Sequence, residues 1–106
     1  MKTIIRASLI VLAVTVVFST LSAAESAPDI YKAKCAICHS ATGAGDTAMG
    51  KNLKIRDLSS ADVQKQSDAD LANIIKNGKG KMPKYEGKLT DQQINDLVKY
   101  IRTLKK

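Results

Sequence analysis

The sequence predicts a small all-α domain of three to four helices joined by irregular loops, and three observations carry that prediction. Apolar residues recur at helical spacing near the C-terminus, where Ile94, Leu97, Val98, Ile101 and Leu104 fall three or four positions apart. Helix-starting residues stand at the heads of the periodic stretches: Pro28, Ser67 and Thr90. No stretch alternates apolar with polar residues as a half-buried strand would.

Residues 1–24 read as a segment apart from this fold. Lys2 and Arg6 make a basic start, Ala7 to Phe18 is apolar apart from Ser8 and Thr15, and Ser22-Ala23-Ala24 sets small residues before a cut. That layout is a secretory signal, expected to be cleaved after Ala24. An uncleaved anchor would need about 20 apolar residues to span a bilayer, and this run is shorter. The domain is then 25–106, without tryptophan or phenylalanine, and so short that a cofactor, metal or disulfide is expected to help fill its centre. Export would place it in a periplasm, or in a thylakoid lumen if the source is photosynthetic.

Each element has its own signals. Pro28-Asp29 opens a first helix, which should stop near His39, where Ser-Ala-Thr-Gly-Ala-Gly begins. Thr42 to Asp57 reads as an irregular loop. A short helix is expected within Leu58–Gln66, capped by Ser59 or Ser60. Ser67 with Asp70 fits a capping box for a helix carrying Leu71, Ile74 and Ile75 and ending at Asn77-Gly78. Gly78 to Lys88 is a second loop, pinned by Pro83. Thr90 with Gln93 caps the last helix, whose end is crowded by Lys99, Arg102, Lys105 and Lys106, as its dipole favours.

The chain carries 17 Lys and Arg against 10 Asp and Glu, a formal charge of +7. These basic residues are spread out and not interleaved with aromatics, which argues against nucleic acid as a partner. A basic face that steers an acidic protein partner accounts for them better.

The chemistry lies in Cys35-Ala-Ile-Cys38-His39, which holds both cysteines and the one histidine of the chain. On a helix the three reactive side chains share one face, since Cys38 and His39 are three and four residues from Cys35. This is the spacing of covalent c-type haem attachment, two thioethers on one haem edge and an imidazole for the iron. Structural zinc wants four ligands, and the chain has no other Cys or His. A redox dithiol belongs at the head of a helix after a strand, which is not the setting here. A Cys35–Cys38 disulfide would close a tiny loop and stabilise little.

The far side of the iron calls for a second ligand, and thioether sulfur serves where electron transfer is the task. Met82 is expected to supply it. Pro83 forces Met82 out of helical conformation, while Gly78 and Gly80 let the backbone approach a flat macrocycle. Met49, soon after His39, is expected to lie in the pocket wall or on the surface.

With CAICH near the start, GKGKMP in the second half and IRTLKK at the end, residues 27–105 resemble a class I cytochrome c, closest in build to short single-domain bacterial and algal types. The resemblance implies one covalent haem, with Cys35 and Cys38 as its thioethers, His39 as proximal ligand and Met82 as distal ligand. It further implies crossing terminal helices with Tyr31 and Tyr100 at the crossing, and Leu53, Ile74, Ile75 and Leu97 as haem walls. Two departures stand out. Ala27-Pro28 replaces a frequent glycine, which implies a looser crossing. Met49–Leu53 also lacks the proline whose carbonyl orients the histidine ring, so another backbone carbonyl of that loop is expected to accept from the outer imidazole nitrogen.

The function expected is that of a monomeric one-electron carrier, not an enzyme, shuttling between exported or membrane redox proteins. Lys34, Lys51, Lys79, Lys81 and Lys84 are expected to ring the exposed haem edge and draw acidic partners. The alternative is a five-coordinate haem protein that binds a small ligand, which requires Met82 to be unbound.

Overall fold

A computed structural model describes residues 25–105. The expected signal segment, 1–24, lies outside the described residues. No described helix is long and apolar enough to cross a membrane.

Helix formation begins at Ser26, whose hydroxyl accepts from the Asp29 amide, with Pro28 in the first turn. Three pieces then run on as one helical rod: α1 (Ala27–Ile30), a π-helical turn (Tyr31–Cys35) and α2 (Ala36–His39). In the π turn the Ala36 amide reaches back to the Tyr31 carbonyl, one residue further than in an α-helix. The rod stops where expected. Ser40 takes φ +64°, and its carbonyl accepts the Tyr31 hydroxyl at 2.6 Å.

The expected irregular loop contains a helix that the sequence pattern did not reveal, α3 (Ala48–Leu53). Thr47 caps it: the Gly50 amide donates to Thr47 Oγ1 at 2.9 Å. That hydroxyl lies 2.8 Å from the Ile37 carbonyl and 3.0 Å from that of Cys38, so it donates to the rod and pins α3 to α2. Periodicity missed α3 because its large side chains do not form a buried stripe, and Met49 is exposed.

Two further helices are α4 (Ala61–Gln64), capped by Ser60, and α5 (Asp68–Asn77), capped by Ser67. At α5 only the serine half of the expected box forms, with Ser67 Oγ accepting from the Asp70 amide. The shorter carboxylate of Asp70 does not return to the Ser67 amide. The last helix, α6 (Asp91–Thr103), has both halves of its box, Thr90 with Gln93. Counting the rod once, five helices are present among the described residues, with no strand beyond the isolated bridges Lys79–Met82 and Glu86–Leu89. The all-α class holds.

The core gathers Ile30 and Tyr31 from the rod, Val63 from α4, Leu71 and Ile75 from α5, and Ile94, Leu97, Val98 and Ile101 from α6. Each such side chain contributes about 1.5–3 kcal/mol by leaving water. The terminal helices cross as the resemblance implied. Tyr31 and Tyr100 rings meet at 4.9 Å, tilted by 51°, and α1 packs on α6. At the crossing Ile30 is 0% and Tyr31 2% exposed, and a second cavity lies between Pro28, Tyr31 and Tyr100. Arg102 fastens α6 to the α4–α5 turn, donating to the carbonyls of Gln64 and Gln66 and to Asp68 Oδ1.

Candidate functional site

Inside this frame is a cavity of about 560 Å³, within the range of about 300–1,000 Å³ usual for cofactor sites. Cys35, Cys38, His39 and Met82 all line it. The first three come from one turn and a half of the rod, and Met82 comes from the loop after α5. Met49 does not line the cavity; it lies on the surface of α3, 46% exposed. The walls implied by the resemblance, Leu53, Ile74, Ile75 and Leu97, are all present, joined by Leu58, Val63 and Leu71.

The thiols of Cys35 and Cys38 are free and half-buried. Burial pushes the Cys35 thiol up to about 11; Lys34 lowers it and Cys38 raises it, both by less. It is therefore a protonated thiol at neutral pH, not the activated thiolate of a redox dithiol. Among the described residues no three His, Cys, Asp or Glu side chains converge as a bound metal ion would need, which also counts against structural zinc.

Burial lowers the pKa of His39, so its imidazole is neutral with a lone pair to give. Its Nδ1 is sealed from solvent without a partner, the one such side-chain nitrogen or oxygen among the described residues. Nε2 is not sealed in this way and is the nitrogen left for the cavity. The acceptor expected from Met49–Leu53 is not found at Nδ1; that segment is α3, and two of its carbonyls bond locally. Gly50 O accepts from the Ile55 amide at 3.1 Å, and Lys51 O from the Lys54 amide at 3.2 Å.

The loop that presents Met82 is tightly folded. Lys79 and Met82 exchange backbone hydrogen bonds at 3.3 and 2.9 Å around Gly80-Lys81. Gly78 is required before them, since its φ is +76° and an added Cβ would come within 2.7 Å of the Met82 carbonyl oxygen.

Basic residues stand at the cavity, without an acid in its lining among the described residues. Lys34, Lys79 and Lys81 are there as expected; Lys51 and Lys84 are exposed but outside the lining. Sequence reasoning missed Lys54 and Arg56, which lie just past α3 and line the cavity, and Tyr85, which lines it from beyond Pro83. Thr47, a capping type of residue just ahead of Ala48, was the signal for α3.

The family model described as cytochrome c oxidase, cbb3-type, subunit III matches residues 22–101. The chain is also 38% identical over 72 residues to the cytochrome c6 of Leptolyngbya boryana, a span that covers 68% of this chain and 81% of that one. This chain belongs to the class I c-type cytochromes. A further relative is the cytochrome c6 of Bryopsis maxima, 33% identical over 82 residues, covering 73% of this cytochrome and 86% of the relative. Among solved structures, the KustC0563 c-type cytochrome superposes with a TM-score of 0.72 at 30% identity, covering 77% of this chain and 100% of its own. Cytochrome c6C from Synechococcus sp. PCC 7002 superposes at 0.58 with 28% identity, covering 74% of this chain and 93% of its own.

Membership in this family implies a covalently bound c-type haem and the work of electron transport. The residues of this cytochrome fit that group. The cavity is of cofactor size and apolar-walled, two thiols and a neutral imidazole line it, and the imidazole has one sealed nitrogen and one open nitrogen.

Proposed function

We propose that this cytochrome is a one-electron carrier with His/Met axial ligation. Cys35 and Cys38 hold the haem by thioether bonds, His39 binds the iron through Nε2, and Met82 takes the other axial position. The observation that carries the reading is that Met82, and not Met49, shares the cavity with Cys35, Cys38 and His39, across 43 residues of chain from His39. The bound haem supplies the one-electron couple. The chain's residues do the rest. The Met82 sulfur and the walls of Ile74, Ile75 and Leu97 favour the less charged reduced state and raise the potential. With both axial positions filled by protein, the reading is of a carrier and not of an enzyme. Residues 1–24 would direct export to a periplasm or thylakoid lumen and be removed, leaving 25–106 as a monomer.

The optical spectrum of the oxidised protein, scanned into the far red, tests this. A sulfur-to-iron charge-transfer band is expected. Haem without that band, together with carbon monoxide binding after reduction, would make it a five-coordinate ligand-binding protein instead.

The partners of this reading are redox proteins with acidic docking faces, because Lys34, Lys54, Arg56, Lys79 and Lys81 line the cavity with no carboxylate beside them among the described residues. Reversing two of these charges, Lys79→Glu with Lys81→Glu, is expected to slow oxidation by ferricyanide roughly ten-fold at low salt, and the difference should fade near 1 M salt. A cationic cobalt oxidant should show the opposite sign. Equal rates for the variant and the parent with both oxidants would remove the steering role.

A further inference from the structure

The segment from Lys79 to Leu89 has no helix or strand of its own, so its position depends on a few ties. On one side it is bonded to the end of α5: the Tyr85 amide donates to the Ile75 carbonyl at 3.1 Å, and the Glu86 amide to that of Lys76 at 3.0 Å. On the other side, among the described residues, one hydrogen bond joins it to the N-terminal rod. Tyr85 Oη donates to the Lys34 carbonyl at 3.2 Å, across 51 residues of sequence. Lys34 stands in the π-helical turn, immediately before Cys35. Such turns recur at functional sites, where they re-aim local groups. The Tyr85 ring is half-buried against the core, carries the Lys88 ammonium 5.9 Å from its centroid, and lines the cavity with Met82.

Tyr85 thus bridges the two segments that supply the site. Its backbone is fixed to α5, its ring fills a wall, and its hydroxyl reaches the rod where the CAICH turn begins. Met82 lies three residues before it, beyond a proline that stiffens the connection. An opening of the segment that withdraws Met82 from the cavity must move Tyr85 or swing the chain about Pro83.

We propose that Tyr85 is a positioning residue: its hydroxyl latches the Met82 segment to the rod and so resists withdrawal of Met82 from the cavity. This rests on Met82 being the distal ligand. The latch acts on the closed arrangement, so its loss raises the open population without abolishing closure.

Tyr85→Phe keeps the ring and deletes the latch. The haem-loaded variant is expected to retain the far-red band at room temperature but to bind imidazole in place of Met82 roughly three- to ten-fold more tightly, the scale of one lost hydrogen bond. Amide hydrogen exchange at Met82, Tyr85 and Glu86 should quicken by a similar factor, a readout that does not depend on which group holds the iron. Arg102→Lys, which disturbs the clasp of α6 on the α4–α5 turn, is the comparison; it should lower the urea midpoint and leave imidazole affinity unchanged. Tyr85→Phe behaving as the parent in both imidazole binding and exchange would overturn the latch. So would an equal rise in imidazole affinity for Arg102→Lys, since the effect would then be general loosening. A parent protein without the far-red band would instead sink the Met82 ligation on which the proposal rests, and with it the role given to Tyr85.

Discussion

Met82→Ala is expected to abolish the far-red charge-transfer band, to let the reduced protein bind carbon monoxide, and to lower the reduction potential by on the order of 0.2 V. That drop is a fraction of the ~0.8 V over which axial ligands tune haem. The direction follows from the ligand: thioether sulfur stabilises the reduced iron more than the water or hydroxide that would replace it. Met49→Ala is the paired control. Met49 is 46% exposed and outside the cavity, so its removal should leave the band, the potential and carbon monoxide exclusion as they were. If Met49→Ala removed the band and Met82→Ala did not, the ligand assignment would be reversed.

Gly50→Ala is expected to be the most damaging single-atom addition to the fold. Gly50 is buried in α3, where a Cβ would fall well inside contact distance of the carbonyl oxygens of Cys38 and Gly45 and 2.9 Å from the Gly45 carbonyl carbon. All three are backbone atoms, so no side chain can rotate aside. Helix α3 must withdraw from α2, breaking the Thr47 bonds to Ile37 and Cys38. A cost of about 3 kcal/mol is expected, at the upper end for overpacking. For a domain of this size that lowers Tm by roughly 12–24 °C. Gly87→Ala separates space from backbone angle: Gly87 is outside the cavity lining and no described atom lies within 4 Å of its Cβ position, but its φ is +79°. Its cost should be only about 1–2 kcal/mol. Thermal unfolding of the two variants followed by circular dichroism would decide it, and equal losses would show that close approach at Gly50 is not what matters.

The withdrawal of α3 would also reach the site, because the Cys38 carbonyl sits one residue from His39. Sequence patterning reached this region poorly. The expected loop at Thr42–Asp57 turned out to hold α3 because a short surface helix is set by its cap and by close backbone packing, not by an apolar stripe. Thr47 carries both functions, accepting from Gly50 and donating to the rod. The capping boxes show the same limit at smaller scale. Thr90 and Gln93 close theirs, whereas Asp70 is one methylene too short to complete the pattern it shares with Ser67.

What lay in the sequence by itself was whatever is local along a helix. Cys35, Cys38 and His39 fall on one face through their spacing alone, and Ile94, Leu97, Val98 and Ile101 are buried because the period of α6 puts them there. The resemblance placed Tyr31 against Tyr100 and named the walls. Only the tertiary structure decided what depends on the chain returning to itself. It put Met82 into the cavity and left Met49 outside, brought Lys54 and Arg56 to the site, and set the Tyr85 hydroxyl on the Lys34 carbonyl. It also left His39 Nδ1 without the acceptor that was expected. The physical reason is common to all of these: spacing along a helix fixes direction within one or two turns, whereas contacts across tens of residues depend on how whole segments pack.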